Sequence, residues 1–251
     1  MPVPAIAAPA ASPSLPSSLH EFVWRAGQMG SARSVVTPTG HAPLDHELPN
    51  HGWPHGGLIE LLLQQGGIGE MLLLKPALRS LGQRRIALLQ PPYLPQIAAW
   101  RDWGLPPERL LWIRAKHHAD ALWSAEQVLR NGSCGALLFW QDTLRHESLR
   151  RLQLAAQASD MLCWLLRPLS SAIQASPAPL RVALRPRAGG VRLELLKRRG
   201  PPCVAPVDLF WSGRGECAAE KILSANEASD ALLDRRQSVI AAAAGATPAL
   251  V

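Results

Sequence analysis

What most limits the fold of this chain is a set of short segments that are apolar on nearly every residue. Residues 58–63, 85–89, 110–113, 136–140 and 161–166 have the length of strands and show no polar alternation. A strand with one wet face alternates, so an unbroken apolar run predicts burial on both faces. Between these runs lie segments of helical period at 70–78, 96–103, 119–130 and 145–158. In the third of them Leu122, Ala125, Glu126 and Leu129 share one face, and Asn131-Gly132 supplies a stop. The first contains Pro76, which predicts a kink or a later start. Strand and helix in strict alternation predict an α/β fold with a mostly parallel central sheet and helices on both faces. Beyond Pro168 the pattern changes: 180–185 and 191–195, joined across Ala188-Gly189-Gly190, predict an antiparallel hairpin at the sheet edge.

The chain has 251 residues, 47% of them hydrophobic, enough for one good core but short for two α/β domains. Residues 1–18 contain Ala, Pro and Ser without periodicity and are expected to be a disordered leader; 19–207 form the core, and 208–251 a flexible tail. The first residues lack the basic and apolar regions that export requires, and no run reaches the 18 to 20 apolar residues of a membrane span. Cys134, Cys163, Cys203 and Cys217 lie far apart and form no CxxC pair. Together these features predict a cytoplasmic protein without a zinc site.

Between the first apolar run and the first helix lies Gln64-Gln65-Gly66-Gly67-Ile68-Gly69, a glycine turn where P-loop proteins cradle phosphates on backbone N–H groups. The working motif is G-x-x-x-x-G-K-[ST]. With Gly69 on its second glycine, Gln64 takes the first glycine, Glu70 the lysine and Met71 the hydroxyl residue. Lysine would cancel phosphate charge, whereas Glu70 adds a like charge; two such charges about 4 Å apart repel by roughly 4 kcal/mol at an effective dielectric of about 20. Met71 offers a thioether where Mg²⁺ takes a hard oxygen. The later strand that should end in a magnesium-holding Asp ends in Phe139-Trp140, with Asp142 two residues late, and the position of the water-orienting carboxylate is filled by Gln90. These residues predict no catalysis, no ATP or Mg²⁺ cofactor and no metal.

The surroundings of that turn carry a resemblance. Val35-Val36-Thr37-Pro38-Thr39-Gly40, Leu44-Asp45 and Gly52-Trp53-Pro54-His55-Gly56-Gly57-Leu58-Ile59-Glu60 resemble the lead-in to RecA-family cores, which identifies the fold as a RecA-like, P-loop-type core. Gly52-Trp53-Pro54 with Gly56, Glu60-Leu61-Leu62 and Gly67-Ile68-Gly69-Glu70 look like the ImuA family, and Leu196-Lys197-Arg198-Arg199-Gly200-Pro201-Pro202 is similar to a second ImuA signature. The resemblance implies a non-catalytic scaffold in SOS-induced translesion synthesis and mutagenesis. Its implied partners are an ImuB-like Y-family homologue and an error-prone C-family polymerase, with RecA and DNA as further partners and no membrane. The alternatives are a module that binds single-stranded DNA or modulates RecA, and a residual ATPase.

Arg181, Arg185, Arg187, Arg192, Lys197, Arg198 and Arg199 face a single Glu194 in the most basic part of the chain. Strand alternation could set several on one face as a contact strip for DNA phosphate or an acidic protein, or as the charged guard of an edge hairpin. Of nine tryptophans, Trp100, Trp103, Trp112, Trp123, Trp140 and Trp164 fall in predicted elements and are expected in the core. Trp24, Trp53 and Trp211 lie in loop-like segments, where an exposed ring would anchor a partner. His51, His55, His117 and His118 lie on turns without grouped carboxylates or thiols, a pattern of loop solvation rather than metal binding.

Overall fold

The structure, a computed structural model, describes residues 35–211 apart from 202 and 204. A two-stranded ribbon of β1 (Val36–Thr37) and β2 (Trp53–Pro54) flanks the short helix α1 (Ala42–Glu47). The main sheet is built from β3 (Gly57–Leu63), β4 (Arg85–Leu89), β5 (Leu110–Ile113), β6 (Cys134–Trp140), β7 (Leu162–Pro168), β8 (Leu180–Arg187), β9 (Gly190–Lys197) and β10 (Val207–Phe210). Its spatial order is β10-β9-β8-β3-β7-β6-β4-β5, with β3 to β8 mutually parallel and only β9 antiparallel to its neighbours. The helices are α2 (Glu70–Ser80), α3 (Ile97–Asp102), α4 (His118–Asn131) and α5 (His146–Gln157).

The expected α/β class holds: the sheet is mostly parallel and covered on both faces. Ile59, Leu61 and Leu63 of β3 point to one core with α1, α2 and α3, while Leu58 joins a second core with α4 and α5. One strand thus feeds two cores, which is why its sequence shows no alternation. In α4 the buried residues are Ala121, Ala125, Glu126 and Leu129, with Leu122 only half covered. Gly132 ends that helix with φ +66, the left-handed conformation favourable to glycine.

Pro76 neither ends nor delays α2. Its ring lies against Gly40, where an added Cβ would stand 2.3 Å from Pro76 Cβ. The lead-in segment is therefore fitted to the proline, and the lost helix hydrogen bond is offset by packing.

The larger departure is at the C-terminal side. Residues after 207 were expected to form a tail, yet β10 adds a strand to β9, with Val191 opposite Leu209 and Arg192 opposite Asp208. The expected leader at 1–18, residues 19–34 and the tail from 212 lie outside the described residues. Among the described residues, no helix is long and apolar enough to cross a membrane.

Candidate functional site

The glycine turn occupies the expected place, between β3 and α2. Gly69 caps the helix at φ +111, and Gly67 stands at φ +85. Glu70, the first residue of α2, folds back so that Oε1 accepts a hydrogen bond from the Gly67 N–H at 2.8 Å. The carboxylate is buried, and its Oε2 has no hydrogen-bond partner among the described residues. An internal anion thus sits at the positive end of the helix, the place where a phosphate would be held. Met71 is half-buried against the core and offers no hard oxygen, while Gln64 is exposed and Gly66 lies beneath the Tyr93 ring.

Beyond the turn, a crevice of about 450 Å³ crosses the carboxyl ends of β3, β4, β6 and β7, lined by residues 63–66, 90, 92, 116–118, 140–142 and 166–168. It spans the boundary between β4 and β6, whose onward connections leave in opposite directions along the sheet. Ligands of open α/β sheets bind at such a switch point. Gln90 holds a left-handed backbone, φ +55; its N–H donates to the Ile113 carbonyl and its Nε2 to the Ala115 carbonyl at 2.7 Å, so it ties the ends of β4 and β5 together. His118 Nε2 donates to the Thr143 carbonyl at 2.6 Å, which leaves Nδ1 to accept from Gln141 Nε2.

The basic residues do not form one strip. Arg181 is buried, its Nε donating to Glu60 at 2.5 Å beside Arg167, so it is not available to a partner. Arg187 and Arg192 both donate to Asp208 of β10. The hydrogen bond from Arg192 leads in holding the Asp208 carboxyl well down, to about 2, with Arg187 adding to it. Arg198 donates to the Glu47 carbonyl and to Glu47 Oε2, Arg185 pairs with Glu194, and Lys197 donates to the Ser176 carbonyl. Arg199 is exposed. The count of basic residues in the sequence could not reveal these partners, because Glu47, Glu60 and Asp208 lie in other elements.

Tryptophans also move between classes. Trp53, expected in a loop, is fully buried edge-on against Trp164, and Trp211 packs on Gly69 with His41 edge-on at 5.6 Å. Trp112 and Trp123, expected in the core, are 43% and 62% exposed. Trp24 lies outside the described residues. His55 is held by Thr37 and the Asp160 carbonyl, His51 lies by the Asp45 carbonyl, and no cluster of metal-ligating side chains occurs among the described residues.

One surface escaped the sequence reading. Tyr93 and Leu94, 66% and 64% exposed, line a hollow of about 180 Å³ together with Trp100, Trp103 and Trp140, and Ile97 at the start of α3 is 54% exposed. The available signal was Pro91-Pro92-Tyr93-Leu94-Pro95, a loop rich in large apolar residues.

No family profile matches the chain. It is 31% identical to "Cell division inhibitor SulA" of Edwardsiella piscicida over 115 residues, 39% of this chain and 68% of that protein. The chain belongs to the SulA family. A solved structure, SulA from Pseudomonas aeruginosa, is 30% identical, covering 44% of this chain and 97% of that one with a TM-score of 0.37.

Membership in the SulA family overturns the ImuA assignment and with it the translesion scaffold; the alternative DNA-binding reading falls with them. The ImuB-like protein, the error-prone polymerase, RecA and DNA no longer stand as partners. A general place in the DNA-damage response is not touched by this correction. The misleading motifs serve folding: Gly40 meets Pro76, Gly52 packs on the Thr37 carbonyl, Trp53 fills the core and Glu60 holds two arginines. Residues that build a core report architecture, and one architecture serves many functions. As a member of the SulA family the chain is not an enzyme.

Proposed function

We propose that this chain inhibits cell division in the cytoplasm by binding a protein of the division apparatus. The observation that carries this is the match to a curated division inhibitor across 68% of that protein's length. The exposed Tyr93 and Leu94 in a tryptophan-lined hollow, with Ile97 exposed at the start of α3, support a binding role, because aromatic and aliphatic anchors over a desolvated pocket supply most of the energy in protein interfaces.

The core reads as a RecA-like one that uses neither ATP nor Mg²⁺. Support comes from the strand order, from the glycine turn after the first strand of the main sheet, and from Glu70 filling that turn. The family match covers 39% of the chain, so what the remainder adds belongs to this proposal as well.

The test is overproduction of the full chain in a rod-shaped bacterium, scored for filamentation. The native chain should give long undivided cells. A variant with Tyr93, Leu94 and Ile97 all changed to Ser should divide normally at equal soluble level and with an unchanged circular dichroism spectrum. Normal division with the native chain at that level would refute the proposal.

A further inference from the structure

We propose that the tryptophan-lined hollow receives an arginine side chain of the protein partner, with its guanidinium at the Glu70 carboxylate. This rests on the partner-binding role given to that surface and names the group the partner must bring.

Three observations define the occupant. First, the hollow combines an aromatic wall with a single charge. Tyr93, Trp100, Trp103 and Trp140 line it, and Glu70 is the only charged residue among the described residues that do. Lys75 of α2 lies over the Trp103 ring, 5.8 Å from its centroid, and does not line the hollow, so the described chain supplies no cation there. Aromatic faces attract cations, and a carboxylate in the same wall adds to that attraction.

Second, the carboxylate is incompletely bound. Glu70 is 3% exposed; its Oε1 accepts from the Gly67 N–H, while Oε2 has no partner among the described residues. A covered acceptor without a donor is costly, and a charged donor stabilises it more than a neutral one. Trp140 Nε1, in the same wall, is covered and unpartnered as well, and it calls for an acceptor. A cation carried by a polypeptide brings both groups, the positive charge and a backbone carbonyl. A free organic cation brings only the first.

Third, the size suits one side chain. A volume of about 180 Å³ falls below the roughly 300 Å³ at which small-molecule sites begin. Arginine is favoured over lysine because the planar guanidinium stacks on rings and is more weakly hydrated than an ammonium, so it leaves water at lower cost. Its methylene stem packs on the apolar part of the wall.

The experiment is titration of the full chain with N-acetyl-arginine N-methylamide, followed by tryptophan fluorescence and calorimetry. The comparison probes are the matching lysine, citrulline and leucine derivatives, with ethylguanidinium as the cation free of peptide groups. Saturable binding of the arginine derivative is expected, at least tenfold tighter than citrulline, its neutral isostere, and at least threefold tighter than lysine. Glu70→Gln should weaken arginine binding at least tenfold and move leucine binding less than twofold. Tyr93→Ser, at an exposed position, should weaken it severalfold with an unchanged circular dichroism spectrum. Because citrulline is compared on the native chain, the role of charge is tested even where Glu70→Gln fails to fold. Citrulline binding as tightly as arginine, or no saturable signal with arginine, would overturn the inference. Ethylguanidinium binding as tightly as the arginine derivative would overturn the polypeptide source. The titration needs no division protein, so filamentation without arginine binding sinks this inference alone, and arginine binding by a chain that leaves division normal keeps the site while refuting the division reading.

Discussion

Glu70 puts one carboxylate oxygen 2.8 Å from the Gly67 amide and buries the other without a partner. The glycine turn is thereby closed from within by its own chain. The glycine that caps it is equally constrained: at φ +111 a Cβ on Gly69 would stand 3.1 Å from Trp211 Nε1. Gly69→Ala should therefore lower stability by about 2 kcal/mol, combining the left-handed cost with the displaced indole. Gly82→Ala, at φ +60 with nothing within 4 Å, should cost only about 1 kcal/mol. Urea midpoints of the two variants check the difference.

Asp208 gives a second prediction at this scale. Its folded-state pKa, about 2, lies below the ordinary 3.8, so the unfolded chain takes the proton first as pH falls. Its contribution is whole above pH of about 4 and is lost between about 4 and 2. Acid unfolding should show that loss in the native chain, and Asp208→Asn should abolish this part of the pH dependence. The two arginines that cause it were legible as residues, but their shared carboxylate was not, because the pairing crosses two strand boundaries.

Elements were read with unequal success for a physical reason. Buried parallel strands need apolar side chains on both faces, and that requirement is written locally, so β4 falls on the residues predicted; β5 does too, but as an edge strand whose Leu111 and Trp112 are exposed rather than buried as expected. Strand β10 has only four residues, Val-Asp-Leu-Phe, and its reason to form is the open edge of β9. A chain ended after Pro206 should lose the burial of Val207 and Leu209, about 3 to 5 kcal/mol by side-chain transfer values, and expose an unpaired edge. A lower thermal midpoint and concentration-dependent aggregation, compared with a chain ended after Ser212, are the expected readouts.

At the scale of the molecule, the sheet order and the two cores separate what is structural from what faces solvent. The cations of the edge hairpin are largely consumed by internal carboxylates, whereas the apolar residues after β4 and the polar crevice remain open. By itself the sequence determined the α/β class and the mostly parallel sheet, because hydrophobic period is a local quantity. Only the tertiary structure decided which arginines are spent, which tryptophans are buried and where the free surface lies. Those outcomes depend on carboxylates and sheet edges far away in the chain, and no period along the backbone encodes such a distance.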